Sequence, residues 1–279
     1  MKTLIIKGVA LGEGRQKICL PLTGRTEEEL ICQAEEAVKE SPDLLEWRAD
    51  FFEKLEEKEA VGRMCARLGE RIGQIPLIFT VRTKREGGNF SSSQEAYVKL
   101  LEETAKNREI DLMDVELFWE VPVMERLICK IQQVGKKVIA SNHHFEGTPK
   151  QEVLEEILRK MEESPADMRK LAVMPRKEEE VLELLSATLQ GSRTGEKPLI
   201  TMSMGKMGAV SRICGELFGS CVTFGTAGIC SGAGGNQRIE EFAESAAAGR
   251  RQVGVIFSQE KSDSERIKRK RKKKREFCR

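Results

Sequence analysis

The chain holds only two histidines, and they are neighbours, His143 and His144. Neutral imidazole titrates near working pH, so a histidine at the end of an apolar run suits proton transfer. Adjacent strand residues point to opposite faces, so one of the two can reach a shared interior, and the residues alone leave open which. Lys170 lies within Met168-Arg169-Lys170-Leu171-Ala172-Val173-Met174. Turned inward among such neighbours, its ammonium would be desolvated, which lowers an amine's pKa and makes it a nucleophile toward carbonyls; at the start of a strand it would instead be solvated. Glu46 and Arg48 are two apart and share one strand face, as contacts to a polar substrate or as a structural ion pair. Arg82, Glu86, Asp114, Glu116 and Arg212 also fall on or just after apolar runs. A lysine, a histidine and several arginines able to grip carboxylates suggest Schiff-base chemistry on an anionic ketone. No clustered His/Cys ligand set exists, so no metal is expected.

The elements that must position these groups are legible as alternation. Eight short apolar runs read as strands buried on both faces: 17–24, 44–50, 76–82, 111–118, 136–145, 169–175, 198–205 and 220–225. Amphipathic stretches at 26–40, 92–107, 121–135, 150–164 and 177–192 read as helices, the first with Thr26 as its N-cap. Strand and helix in turn predict a (β/α)8 TIM barrel, for which about 250 residues is typical. An open doubly wound sheet is disfavoured, because no G-x-G-x-x-G follows the first run. Residues 1–16 are expected to form a hairpin closing the barrel floor. In such barrels the chemistry sits at the C-terminal strand ends, where the ionisable residues above gather. Trp47, Phe79 and the Met202/Met204/Met207 series suit packing.

Of the 279 residues, 39% are hydrophobic and 33% charged, which excludes a disordered or fibrous chain. No apolar run reaches the roughly 18 residues of a membrane span, and the N-terminus is a poor signal peptide. Eight cysteines are scattered without a CxxC pair, as in a reduced, cytoplasmic protein. The net charge of +2 conceals an asymmetry: residues 260–279 hold 11 Lys/Arg and 4 Asp/Glu, leaving the remainder at −5. The body is therefore a poor nucleic-acid binder, although the tail alone would attract polyanions. Residues 1–252 are expected to form a single barrel domain and 253–279 a basic, disordered tail.

The stretches PLTG (21–24), EWRAD (46–50), FTVRTKREGG (79–88), SNHHF (141–145), KLAVMP (170–175) and ITMSMGKMGAVSRICGELFGSCVTFG (200–225) resemble the type I 3-dehydroquinate dehydratases, the Schiff-base class of the shikimate pathway. The resemblance implies a TIM barrel with no metal or organic cofactor, commonly a homodimer. It implies syn elimination of water from 3-dehydroquinate to give 3-dehydroshikimate. Lys170 would form the Schiff base with the C3 ketone. His143, not His144, would remove the C2 proton and later protonate the leaving C1 hydroxyl, with Glu86 orienting it. Glu46, Trp47, Arg48 and Arg82 would contact substrate hydroxyls and ring, and Arg212 the carboxylate. Asp114 and Glu116 fall on a strand the family also keeps acidic, without a defined role. A class I aldolase-type barrel shares the lysine, but the EWR, SNHHF and SMGKMG stretches favour the dehydratase.

After Gly225 the resemblance breaks. The family carries Ala-Ser-Ala-Pro-Gly-Gln, whose Ser and Gln close over the substrate; here the chain reads Thr226-Ala227-Gly228-Ile229-Cys230-Ser231-Gly232-Ala233-Gly234-Gly235-Asn236-Gln237. Ser231 and Gln237 are the nearest counterparts, but only with an insertion. One choice of synonymous codons for Gly228–Gly234, GGC ATC TGC TCC GGG GCA GGN, gives Ala-Ser-Ala-Pro-Gly-Gln when read from the second base. A frameshift near Ala227 or Gly228 would account for the departure, and for the basic tail as read-through. Residues 237–252 retain helix-favouring composition.

Overall fold

A computed structural model describes residues 2–225. Two short strands come first, β1 (Leu4–Ile6) and β2 (Val9–Leu11), paired antiparallel. Lys7 and Gly8 both take positive φ between them (43° and 83°), as a tight hairpin turn requires.

Eight parallel strands follow: β3 (Lys17–Leu22), β4 (Leu44–Arg48), β5 (Leu77–Thr80), β6 (Leu112–Glu116), β7 (Lys137–His144), β8 (Met168–Val173), β9 (Leu199–Ser203) and β10 (Val222–Phe224). They pair in chain order, and β10 returns to pair with β3. The ring closes between β9 and β10 through one bridge, Leu199 to Ser220, and the bond from Cys221 N to Leu199 O, 2.7 Å. Seven of the eight predicted runs contain one of these strands, and the eighth, 169–175, misses only the first residue of β8.

Seven α-helices accompany them among the described residues: α1 (Glu27–Lys39), α2 (Lys58–Ile72), α3 (Gln94–Thr104), α4 (Val121–Gln133), α5 (Gln151–Glu163), α6 (Glu178–Thr194) and α7 (Ala209–Phe218). Thr26 caps α1 by accepting from Glu29 N at 3.2 Å, as expected from sequence. Two helices go beyond the amphipathic stretches picked out above. In α2, Gly62 and Gly69 dilute the periodicity; Gly69 is required because a Cβ there would come 2.9 Å from the Glu109 side chain. The predicted helix at 237–252 and the basic tail lie outside the described residues.

Alternation along the strands builds two cores. Outward residues such as Leu20, Leu45, Trp47, Phe79, Met113 and Leu171 pack against the helices. Inward residues Cys19, Leu44, Ile78, Leu112, Ile139, Met168, Ile200 and Val222 fill the bottom of the barrel with Ile6 and Leu11 of the hairpin. The hairpin thus closes the floor, and Lys7 ties it to Asp111 at 2.9 Å. With the floor sealed by hydrocarbon, polar side chains higher in the lumen have access to solvent only from the top.

Candidate active site

Two residues above the apolar floor, each strand presents its next inward side chain. This layer contains Pro21, Glu46, Thr80, Asp114, Ser141, Lys170, Met202 and Phe224, and the layer above it Arg48, Arg82, Glu116 and His143. A cavity of about 310 Å³ opens over them, lined among others by Glu46, Arg48, Arg82, His143, Lys170 and Arg212. A larger groove of about 640 Å³ lies outside the barrel between α2 and α3 and contains none of these groups.

Lys170 is 3% exposed. Its Nζ donates to Glu46 Oε1 at 3.1 Å and to Asp114 Oδ2 at 3.0 Å, and sits 4.6 Å over the Phe224 ring. Burial alone would push this amine down, as expected from its apolar neighbours. The two carboxylates outweigh burial, and its pKa is raised. Lys170 therefore rests as an ammonium, which corrects the expectation of an amine made nucleophilic by desolvation.

His143 and not His144 faces the cavity, which settles the alternative the sequence left open. Its Nδ1 lies 2.9 Å from Glu86 Oε2, which leaves Nε2 available for proton transfer. Burial, with Arg82 and Lys170 nearby, holds the imidazole well below its usual range, so it is neutral at pH 7. Burial and the repulsion of Glu116 push Glu86 up to about 8. Asn142 Nδ2 donates to Glu86 Oε1 at 2.8 Å.

The loop carrying Glu86 owes its shape to two glycines. Gly87 takes φ of 79° against the Phe145 ring, and a Cβ on Gly88 would come 2.1 Å from Arg82 O. That close return pairs Thr83 with Phe90 and turns Glu86 back over β7.

Arg82 lines the cavity, but both its Nη atoms are engaged by protein: Nη2 donates to Asp114 at 2.8 Å, and Nη1 to Glu116 at 3.0 Å and Ser141 at 3.1 Å. Arg48 is held by Asp50 through a two-point contact of 2.8 and 2.9 Å. Arg212 reaches inward from α7, with Nη1 donating to Phe224 O at 3.3 Å. Trp47 does not join them. It is fully buried on the opposite strand face, edge-on to Phe52 and Phe79 at 5.7 and 5.3 Å, because a residue between two inward side chains must point outward. Ser231 and Gln237 lie outside the described residues.

Sequence reasoning gave no role to Asn142, Asp50, Thr80 or Ser141. Strand alternation already marks Thr80 and Ser141 as inward, two residues from Arg82 and His143. Asn142 carries no such signal, because it reaches Glu86 from an outward position. Among the described residues no group of three or more His, Cys, Asp or Glu is arranged to hold a metal ion, and no helix is long and apolar enough to cross a membrane. The constellation is a neutral imidazole beside a buried lysine, with arginines around a small polar cavity. It can form an imine and move a proton next to it.

Residues 18–244 match the family model for type I 3-dehydroquinase. A 3-dehydroquinate dehydratase of Klebsiella pneumoniae is 42% identical over 230 residues, covering 82% of this chain and 92% of that protein. That of Bacillus subtilis is 40% identical over 226 residues, covering 81% and 90%. The crystal structure of the type I enzyme from Clostridium difficile, determined with covalently modified comenic acid, superimposes with a TM-score of 0.86 at 39% identity over 90% of this chain and all of that one. Agreement in sequence over four fifths of its length, and in fold over nearly all of it, means that the chain belongs to the type I 3-dehydroquinases, a family of 3-dehydroquinate dehydratases.

Proposed function

We propose that this chain eliminates water from 3-dehydroquinate through an imine on Lys170. The observation that carries the reading is a buried lysine sharing one small cavity with a neutral histidine. The ammonium of Lys170 and the C3 ketone yield an iminium and one water, which takes the carbonyl oxygen and two amine protons. The iminium draws electrons from C2 and so lowers the pKa of its C–H bond. His143 takes the C2 proton, and the electron pair left behind forms the C1–C2 double bond as hydroxide departs from C1. His143 returns the proton to that oxygen, so water leaves from the face on which the proton was removed, a syn elimination. Hydrolysis of the imine then releases 3-dehydroshikimate.

Arg212 suits the substrate carboxylate, because a guanidinium fork matches its two oxygens. Glu46 and Arg48 suit the ring hydroxyls. Arg82, with both Nη atoms held by protein, acts by fixing Asp114 and Glu116 more than by gripping substrate. Borohydride reduction in the presence of 3-dehydroquinate, followed by peptide mass spectrometry, tests the reading. A ligand-sized addition on the Lys170 peptide is expected; an addition elsewhere, or none, refutes it.

The same reading makes the protein a cytoplasmic homodimer, for which light scattering is the check. It also makes the sequence after Ala227 the product of a frameshift, because one register shift restores six consecutive family residues, including the serine and glutamine that cover the substrate.

A further inference from the structure

Asp114 takes no part in the reaction as set out above, yet it is heavily engaged and only 1% exposed. Its Oδ1 accepts from Arg82 Nη2 at 2.8 Å and from Ser141 Oγ at 2.5 Å, and its Oδ2 accepts from Lys170 Nζ at 3.0 Å. Glu46 is the other carboxylate on the same ammonium. Among the described residues it is anchored by a single side chain besides Lys170, the Thr80 hydroxyl at 2.9 Å, and it lines the cavity, whereas Asp114 does not. Lys170 thus bridges one carboxylate beside the substrate and one set back from it.

Imine formation breaks this symmetry. The ammonium carries three N–H bonds, and the iminium R–NH⁺=C carries one, the other two hydrogens leaving in the water. Both carboxylates can bond the ammonium, but only one can bond the iminium. Asp114 is fixed by Ser141 on β7 and by Arg82 just beyond β5, and needs no movement to keep the bond. Glu46 faces the space the substrate fills. Building on the imine reading, we propose that Asp114 is the counter-ion that keeps the single N–H of the Lys170 iminium, while Glu46 passes from lysine to substrate. A buried cation created during turnover is stabilised most by an anion already in place, since no groups then need to reorganise.

The charged and titratable groups facing this pair are Glu46 from β4, Arg82 beyond β5, Glu116 from β6, His143 from β7 and Cys19 from β3. Glu46, Asp114 and Glu116 face the cations Lys170 and Arg82. An Asp114→Asn substitution leaves two carboxylates against two cations, so it strands no buried charge.

The test compares Asp114→Asn with Glu46→Gln, each first checked for a wild-type-like melt. Asp114→Asn is expected to lower kcat on the order of 10²-fold, the usual loss for one preorganised electrostatic partner, with KM nearly unchanged. It should also move the pH dependence of borohydride trapping toward lower pH, because the amine has lost an anionic neighbour. Glu46→Gln should act chiefly on KM. If the wild type traps substrate but Asp114→Asn leaves kcat and the trapping profile within twofold, the counter-ion assignment is wrong although the imine stands. If the wild type does not trap, the underlying reading has failed. Should Asp114→Asn not fold, Ser141→Ala loosens the anchor and keeps the charge: a fall in kcat with KM and trapping profile in place supports the assignment, and an unchanged kcat overturns it.

Discussion

Glu86 Oε2 lies 2.9 Å from His143 Nδ1, on a loop that returns over the barrel from the end of β5. The contact joins a carboxyl raised to about 8 with an imidazole lowered well below its usual range, burial being the first cause of both shifts. At neutral pH the result is an uncharged imidazole with its orientation fixed, which is what a base for a carbon acid beside a cation needs. A protonated histidine next to an iminium would repel it and could accept nothing.

Replacing His143 by Ala should therefore separate the two halves of the reaction. Positioned general bases contribute roughly 10²- to 10⁴-fold, so kcat should fall by about that factor. In the proposed mechanism imine formation belongs to Lys170, so the borohydride adduct should persist or accumulate. Loss of both turnover and adduct in a folded variant would mean that His143 also serves imine formation.

Glu86 predicts a pH dependence of stability. Its ordinary pKa is 4.5, and in the folded chain it is about 8. Between those values the folded state holds a proton that the unfolded state lacks, so raising the pH favours unfolding. Glu86→Gln removes this contribution and keeps a group able to accept from Asn142. The melting temperature of the wild type should fall more steeply than that of Glu86→Gln from pH 5 to pH 8. Parallel curves would show that the carboxyl is ionised throughout.

Arg212→Lys keeps the charge and loses the fork. A charge-assisted hydrogen bond contributes about 1.5–3 kcal/mol, so KM for 3-dehydroquinate should rise about tenfold or more. In the proposed mechanism the chemical step does not pass through Arg212, so kcat should change much less. Equal falls in kcat and in kcat/KM with KM unmoved would show that Arg212 contacts the transition state alone.

Much of this site follows from parity along the strands. Glu46, Arg48, Asp114, Lys170 and His143 face inward once the barrel is assumed, and Trp47 faces outward by the same rule. The charge state of Lys170 does not follow. Its sequence neighbours are apolar and suggest a lowered pKa, but the groups that decide it, Glu46 and Asp114, arrive from β4 and β6 across the lumen. Asn142 escapes for a similar reason, since its partner Glu86 is 56 residues away on a folded-back loop. Helix α2 is obscured by two glycines, of which Gly69 packs against Glu109, a demand set by the neighbouring loop and invisible within the helix itself.

The sequence after Ala227 makes the last prediction. If one register shift produced it, genomic DNA will hold a homopolymeric or otherwise slip-prone site near codon 227 or 228, and moving one base there will encode Ala-Ser-Ala-Pro-Gly-Gln. Lys170, His143 and Arg212 precede that point. The chain as written should therefore still form the imine, while lacking the family's serine and glutamine at their usual spacing. A missing pair of polar substrate contacts weakens binding by about 1–3 kcal/mol, which is about 5- to 150-fold in KM. Restoring the frame should lower KM by that factor and leave the Lys170 adduct unchanged. Full activity of the chain as written, from a gene confirmed in its present frame, would mean that Ser231, Gln237 or their neighbours cover the substrate by a different route.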